Sequence, residues 1–217
     1  MKTVTSADGT VIAYDRTGDT APFAPEREYE DLAAVAAATG TEPPFVFGHS
    51  SGAAIALRAV ARGLPVAGIA AYEAPFTNDE TPPAGADPAA RIRELVAAGR
   101  ERDAVIFWMT DIVHVPEQAA IGLKDAPWVA ALEPLARTLP YDIAVTAGGV
   151  PTDELANVDI PVLVIGGANS PAWFQRSVAE QAAAVPGARQ VTLDGYDHNA
   201  PPEVLAPILA EFFTAGR

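Results

Sequence analysis

The sequence contains no cysteine, only two lysines and no long uninterrupted apolar run. Without cysteine the chain can form no disulfide, thiolate nucleophile or cysteine-ligated metal site. No apolar run reaches the ~20 residues that a helix needs to cross a bilayer. Residues 1–5 also lack the apolar segment of a signal peptide. We therefore expect a soluble, cytoplasmic protein.

Positive charge is scarce as well, with 14 Lys and Arg against 28 Asp and Glu and a formal net charge of −14. Affinity for phosphate depends on Lys and Arg releasing counterions, so this composition argues against binding to nucleic acid or to an anionic membrane. No dinucleotide-type glycine pattern and no metal-ligand cluster is present in the sequence. We expect a small-molecule substrate and no cofactor.

What the sequence does contain is an alternation of strand-like and helix-like segments. The apolar runs at 45–47, 66–71 and 160–165 lack polar alternation, which is typical of strands covered by helices on both faces. Residues 4–14, with Asp8-Gly9 as a turn, predict a β-hairpin. Strands that alternate with helices predict an α/β fold with a mostly parallel sheet.

Two segments between these strands carry further predictions. An apolar stripe predicts a helix over 26–39, and its members are Tyr29, Leu32, Val35 and Ala36. Residues 78–157 begin with a Pro/Gly-rich link and then show helical patterns without a convincing strand. We interpret 78–157 as a helical cap inserted into a core formed by 1–77 and 158–217.

The motif Gly48-His49-Ser50-Ser51-Gly52 lies between the apolar strand 45–47 and a helix of small residues. This strand–turn–helix context is that of a nucleophile elbow, in which the serine occupies a strained turn. We expect the flanking glycines to avoid side-chain clashes there. Ser50 is the candidate nucleophile, and the N–H of Ser51 at the helix N-terminus is a candidate oxyanion donor.

A serine nucleophile needs a base, and the sequence has three histidines. His49 lies inside the elbow, and His114 lies in the predicted cap. A further short stretch at 190–193 predicts the last strand, and an amphipathic pattern over 204–213 predicts the final helix. His198 lies between them, which is the chain position of the base in Ser–acid–His hydrolases. We predict His198 as the base.

The acid has two candidate positions. The loop after strand 160–165 reads Gly-Gly-Ala-Asn-Ser-Pro and offers Asn169, which carries no charge. Glu73 directly follows strand 66–71 and would lie on the strand next to the elbow. A carboxylate there can orient His198 through Nδ1. Asp197 is too close to His198 in sequence to orient it well, so we predict Glu73.

From Ala24 onward, the chain resembles small cap-bearing bacterial α/β-hydrolases. The matching pieces are the helix 26–39, the elbow 47–52, the stretches 72–76 and 138–142, and the ending 195–198. The resemblance implies the α/β-hydrolase fold with a helical cap, Ser50 as nucleophile and His198 as base. It also places the acid at Glu73, as in haloalkane dehalogenases. Ser50 replaces the nucleophilic Asp of those enzymes, which argues against dehalogenation.

The N-terminal part departs from this family. Between the hairpin and helix 26–39, such proteins carry a strand, an oxyanion loop, a helix and a further strand, or roughly 35–45 residues. The sequence has no room for them, so an N-terminally shortened sheet is predicted and the usual second oxyanion donor is missing. The hairpin or a second copy of the chain would have to replace the strands, which makes a homo-oligomer possible.

The predicted function is an esterase-like serine hydrolase that acts on a small ester or related acyl compound through Ser50, His198 and Glu73. Two alternatives follow from the missing oxyanion segment. One is a non-hydrolytic protein of the same fold with a binding or tailoring role. The other is a shortened variant with impaired activity.

Overall fold

The computed structural model describes residues 2–5, 11–14, 23–40, 42–76, 87–115 and 120–215. For the two N-terminal segments it describes the backbone alone. The turn that the sequence predicts at Asp8-Gly9 lies outside these residues. None of the helices in the described ranges combines the length and the apolarity that a bilayer crossing requires.

The described strands form two separate sheets. They are β1 (Lys2–Thr5), β2 (Val11–Tyr14), β3 (Phe45–His49), β4 (Gly68–Tyr72), β5 (Val162–Gly167) and β6 (Arg189–Leu193). The first two pair antiparallel as the predicted hairpin, and the other four form a parallel sheet in the order β3-β4-β5-β6. Because the four strands are parallel, their carboxyl ends meet at one edge of the sheet, where α/β proteins place their sites.

Helices connect and cover these strands. They are α1 (Pro25–Ala38), α2 (Ser51–Ala61), α3 (Pro88–Ala97), α4 (Glu101–Phe107), α5 (Pro127–Leu132), α6 (Leu139–Thr146), α7 (Thr152–Leu155), α8 (Ala172–Ala184) and α9 (Pro202–Ala215). A π-helical turn (Trp108–Ile112) and two 3₁₀ segments (Leu123–Asp125 and Glu133–Thr138) lie between α4 and α6. The described residues between β4 and β5 therefore contain helices and no strand.

The core has a layer on each face of the parallel sheet. Side chains of β4 alternate, so that Ile69 and Ala71 pack with α1, α2 and α8, whereas Ala70 and Tyr72 pack with α9. Both sets are fully buried, which explains why the strand shows no polar alternation. A third apolar cluster, centred on Ile92 and Val105, lies within the helical segment between the strands.

The helical segment is attached to α2 by polar contacts. The Arg58 guanidinium donates to the carbonyl oxygens of Val145 and Ala147, at 3.2 and 2.8 Å. Arg62 forms an ion pair with Glu154 at 2.8 Å. Since α2 begins at the elbow, these contacts tie the helical segment to the elements that carry Ser50. The division of the chain into a core and a cap stays a prediction.

One side of α1 differs from the predicted stripe. Tyr29 and Ala36 are buried, but Val35 is 63% exposed. Within the described residues, β3 pairs with β4 and has no strand on its other side. Helix α1 packs mainly on α2 and also contacts α6, and Val35 lies outside this buried face. Val35 thus belongs to the apolar stripe of the sequence pattern but not to the buried part of the helix.

Candidate active site

Ser50 lies at the sharp turn between β3 and α2. Its backbone angles are φ 57° and ψ −129°, a conformation that L-residues rarely adopt and that costs of order 1–3 kcal/mol. A Cβ at Gly48 would come within 2.6 Å of the Ala53 Cα atom, so glycine is required there. A Cβ at Gly52 would meet nothing within 4 Å, so the expectation that both flanking positions exclude side chains was wrong for Gly52.

Glu73 follows β4, the strand beside the elbow, and also has a positive φ of 48°. Its side chain is 0% exposed. The backbone N–H of Gly167 donates to Oε1 at 2.7 Å, and Nδ1 of His198 lies 2.8 Å from Oε2. A carboxylate oxygen can only accept, so Nδ1 of His198 carries the proton in this pair. Glu73 and His198 are thus in the geometry that orients an imidazole.

Hydrogen bonding keeps Glu73 ionised despite its position inside the protein. Burial is the largest influence on the pKa of Glu73 and raises it, but the hydrogen bonds from His198 and Gly167, together with the nearby Ser170 hydroxyl, outweigh burial and hold the pKa below its ordinary value of 4.5. The Ser170 hydroxyl is buried and close to Glu73, yet it satisfies no hydrogen-bond geometry with any described atom. His198 and Gly167 are therefore the direct partners of the carboxylate.

The chain on either side of Glu73 is held by buried hydrogen bonds. The Glu73 N–H donates to the Ile165 carbonyl at 3.0 Å. The next carbonyl, that of Ala74, accepts from Ser177 Oγ at 3.0 Å and from Gln181 Nε2 at 2.9 Å. These contacts from β5 and α8 offset the cost of the positive φ at Glu73.

The ring of His198 is enclosed by other rings. Its centroid lies 4.7 Å from that of Phe174 and 4.5 Å from that of His49. No hydrogen bond between Ser50 and His198 appears among the described residues. In unliganded hydrolases this contact is often long and shortens when substrate binds. The structure thus brings Glu73 and His198 into direct contact and Ser50 to the end of the adjacent strand.

Ser51 occupies the first position of α2. Within the described residues its backbone N–H makes no backbone hydrogen bond, so it is free to bind an oxygen at the helix N-terminus. The carboxyl of Asp142 in α6 lies near its side chain. Burial raises the pKa of Asp142, and the Ser51 hydroxyl partly opposes the change.

The other two positions that the sequence offered for the orienting acid, Asn169 and Asp197, make different contacts. The backbone N–H of Asn169 donates to the Tyr196 carbonyl at 2.8 Å. The Asp197 carboxylate accepts from the Asn199 N–H at 2.9 Å. In the described part of the chain, neither side chain forms a hydrogen bond with the His198 ring. Nor do any three His, Asp or Glu side chains in these ranges come together as a metal site.

Two residues that sequence reasoning did not select also touch the His198 loop. The hydroxyl of Tyr72 donates to the Asp197 carbonyl and accepts from the Ala200 N–H at 3.2 Å. Nε2 of His49 lies 2.8 Å from the His198 carbonyl oxygen. Their place in the sequence could have pointed to them, because His49 directly precedes Ser50 and Tyr72 directly precedes Glu73, each at the end of a strand.

Comparison with known proteins gives the same architecture. The model of the alpha/beta hydrolase family matches residues 4–207. No curated protein matches the chain significantly. Among solved structures, an alpha/beta hydrolase from Sphaerobacter thermophilus is 44% identical with a TM-score of 0.81, and the match covers 90% of this chain and 77% of that one.

More distant structures share the fold. An esterase from a Rhodococcus species is 21% identical with a TM-score of 0.54, over 89% of this chain and 73% of that one. A proline iminopeptidase from Mycobacterium smegmatis is 20% identical with a TM-score of 0.58, over 89% and 72%. The fold, the family match and the Sphaerobacter relative lead to one conclusion: the chain belongs to the alpha/beta hydrolase family.

Proposed function

We propose that this hydrolase is a serine hydrolase that cleaves a small ester or related acyl compound, with Ser50 as nucleophile, His198 as base and Glu73 as the orienting acid. The observation that carries the proposal is the buried carboxylate of Glu73, 2.8 Å from Nδ1 of His198, on the strand beside the Ser50 elbow. A nucleophile, a base that takes its proton and an acid that orients the base are the components of this type of acyl-transfer catalysis.

The reaction would proceed in two steps. Ser50 Oγ attacks the acyl carbonyl carbon and passes its proton to Nε2 of His198, while Glu73 holds Nδ1–H and stabilises the imidazolium. The proton then goes to the departing alcohol oxygen as the carbon–oxygen bond breaks, leaving an acyl-Ser50 ester. Water, deprotonated by His198, attacks that ester and releases the acid and free Ser50.

The Ser51 N–H at the start of α2 is proposed as an oxyanion donor in both steps. Removal of one such donor in other serine hydrolases costs on the order of 10²–10³ in rate. The segment 15–24 offers no room for the usual oxyanion loop of the family. We therefore expect turnover to be slow unless the substrate or another part of the chain supplies a second donor.

Helices α3 to α7 are proposed to act as the cap that shapes the acyl site. The apolar cluster formed by α3 to α6, and the polar contacts of Arg58 and Arg62 with the last part of this segment, support the arrangement. Esterase and peptidase neighbours of the same fold are consistent with acyl transfer, although identities of 20–21% carry the fold and not the substrate.

A fluorophosphonate probe tests the proposal directly. The wild-type protein should be labelled, and peptide mass analysis should place the label on Ser50. Ser50→Ala should abolish labelling, and His198→Ala should slow it by about 10³-fold or more because the hydroxyl loses its base. Ser51→Ala retains the backbone N–H and serves as the matched control that should still be labelled.

Absence of labelling at Ser50 in folded wild-type protein would overturn the hydrolase proposal. The alternative of a non-hydrolytic binding or tailoring role would then be favoured. The observation that supports this alternative is that only one oxyanion donor, the Ser51 N–H, has been assigned. Labelling of Ser50 without ester turnover would instead indicate the impaired variant, because the nucleophile would be activated while the full cycle fails.

A further inference from the structure

Tyr72 has a buried hydroxyl that the proposed reaction does not use. The residue ends β4, is 1% exposed, and packs on the α9 side of the sheet. Its hydroxyl donates to the Asp197 carbonyl and accepts from the Ala200 N–H. One side chain therefore satisfies two backbone groups of the loop, one just before His198 and one two residues after it.

His49 provides a second contact with the same loop. Its Nε2 lies 2.8 Å from the carbonyl oxygen of His198 itself. A carbonyl can only accept, so Nε2 of His49 carries a proton. The His49 ring also stacks on Tyr72 with centroids 5.1 Å apart. Burial is the main influence that lowers the pKa of His49, which favours its neutral form beside His198.

The end of β5 also contacts this loop. A Cβ at Gly167 would lie 2.6 Å from the Tyr196 carbonyl oxygen and 2.8 Å from the Asp197 Cα atom. The Asn169 N–H donates to the same Tyr196 carbonyl. The backbone of 196–200 is thus fixed at successive residues by the ends of β3, β4 and β5.

From this arrangement we propose that Tyr72 and His49 are positioning residues that set the height and tilt of the His198 imidazole, with Tyr72 dominant. The inference rests on the proposed function, because it assigns their effect to the base of that reaction. Glu73 fixes one atom of the imidazole, whereas Tyr72 and His49 fix the backbone from which the ring projects.

The two residues differ in how much effect they should have. Tyr72 is buried and its hydroxyl has two partners, so its removal leaves two backbone groups unsatisfied. His49 is only partly covered by the rings beside it and makes a single hydrogen bond with this loop. Tyr72→Phe, which keeps the ring, should lower kcat by about 10²-fold with KM nearly unchanged, since misplacement of a catalytic group by ~1 Å costs about that much.

The His49 variants form a matched pair. His49→Gln places an amide nitrogen where Nε2 lies and can still donate to the His198 carbonyl, whereas the shorter His49→Asn cannot reach it. We expect His49→Asn to lower kcat several-fold and His49→Gln to restore most of the loss. Equal loss in both variants would overturn the role of His49.

Proton NMR of His198 gives a readout that does not depend on turnover. The Nδ1 proton, held between His198 and Glu73, should give a low-field resonance in wild-type protein. Tyr72→Phe should shift or broaden this resonance while the circular dichroism spectrum and the cooperative unfolding transition are retained. An unchanged resonance together with unchanged kcat would overturn the inference about Tyr72.

The same samples separate the two proposals. If wild-type Ser50 is not labelled by the fluorophosphonate but the His198 resonance moves in Tyr72→Phe, the proposed function fails and the loop-positioning role of Tyr72 remains. If Ser50 is labelled and Tyr72→Phe is labelled at the wild-type rate with the same resonance, the proposed function remains and the positioning inference fails.

Discussion

The two halves of the candidate site differ in how firmly the surrounding structure holds them. In the acid–base half, Glu73 is buried and His198 is partly buried, and hydrogen bonds from β3, β4, β5 and α8 hold the chain around them. The nucleophile half, formed by Ser50 and Ser51, has its strained turn and a free N–H, but β3 has no strand on its outer side among the described residues. In the proposed mechanism, the groups that would activate Ser50 are therefore held more completely than the groups that would stabilise an oxyanion.

This difference shows which parts of a site depend on which parts of a fold. The acid and the base come from loops after β4 and β6, so they need those strands and β5 between them. A second oxyanion donor comes from a loop on the far side of β3 in this family. A sheet that ends at β3, as it does among the described residues, would keep the first half and lack a component of the second.

The largest expected effect is on the acid–base half. Glu73→Gln should lower kcat by roughly 10³–10⁴-fold, as the change of acid to amide does in serine proteases. The two carboxylate oxygens accept from Gly167 and His198, but an amide has one oxygen and must turn its NH₂ toward one of these donors. With the NH₂ facing Nδ1, His198 would adopt the tautomer that cannot accept the Ser50 proton.

Asp197→Asn is the matched control for that change. Asp197 neighbours His198 in sequence, but its carboxylate accepts only from Asn199 in the described structure, and an amide oxygen can replace it. Steady-state kinetics with a p-nitrophenyl ester, alongside circular dichroism, would compare the two. A larger loss in Asp197→Asn than in Glu73→Gln would show that the acid has been assigned to the wrong residue.

A smaller effect, on stability, is expected in the nucleophile half. Gly48→Ala should lower the free energy of unfolding by about 1–3 kcal/mol because the new methyl group meets the α2 backbone at 2.6 Å. Gly52→Ala adds a methyl group where nothing lies within 4 Å, inside a helix, and should be neutral or stabilising by up to ~1 kcal/mol. Urea denaturation measures both. Similar values for the two variants would contradict the close packing of the elbow.

The smallest expected effect is a pH dependence of stability. The pKa of Glu73 is lower in the folded protein than its ordinary value of 4.5, so its ionised form contributes stability above that pH. As the pH falls through 4.5 toward the folded-state pKa, that contribution is lost. The difference in unfolding free energy between wild type and Glu73→Gln should therefore narrow from about pH 6 to about pH 3. A constant difference over this range would argue against a lowered pKa.

Much of this arrangement could be predicted from the sequence because its signals are local. The elbow glycines, the uninterrupted apolar strands and the loop position of His198 each reflect a nearby steric or packing requirement. The exposure of Val35 could not be predicted, because it depends on which elements lie beside the outer edge of β3. Tyr72 was missed for a related reason. It reads as one more apolar strand residue, and its polar role appears only when the loop 196–200 folds over it.

The alternation of β4 has a consequence for how this family can vary. Tyr72 and Glu73 are neighbours in sequence but project to opposite faces, one toward the α9 layer and the other toward the imidazole. A deletion or insertion of one residue in β4 would exchange the two faces. It would bring the phenol to the carboxylate position and the carboxylate into an apolar layer. We expect the length of this strand to be invariant among relatives that keep both residues, whereas the segment before α1 is free to change.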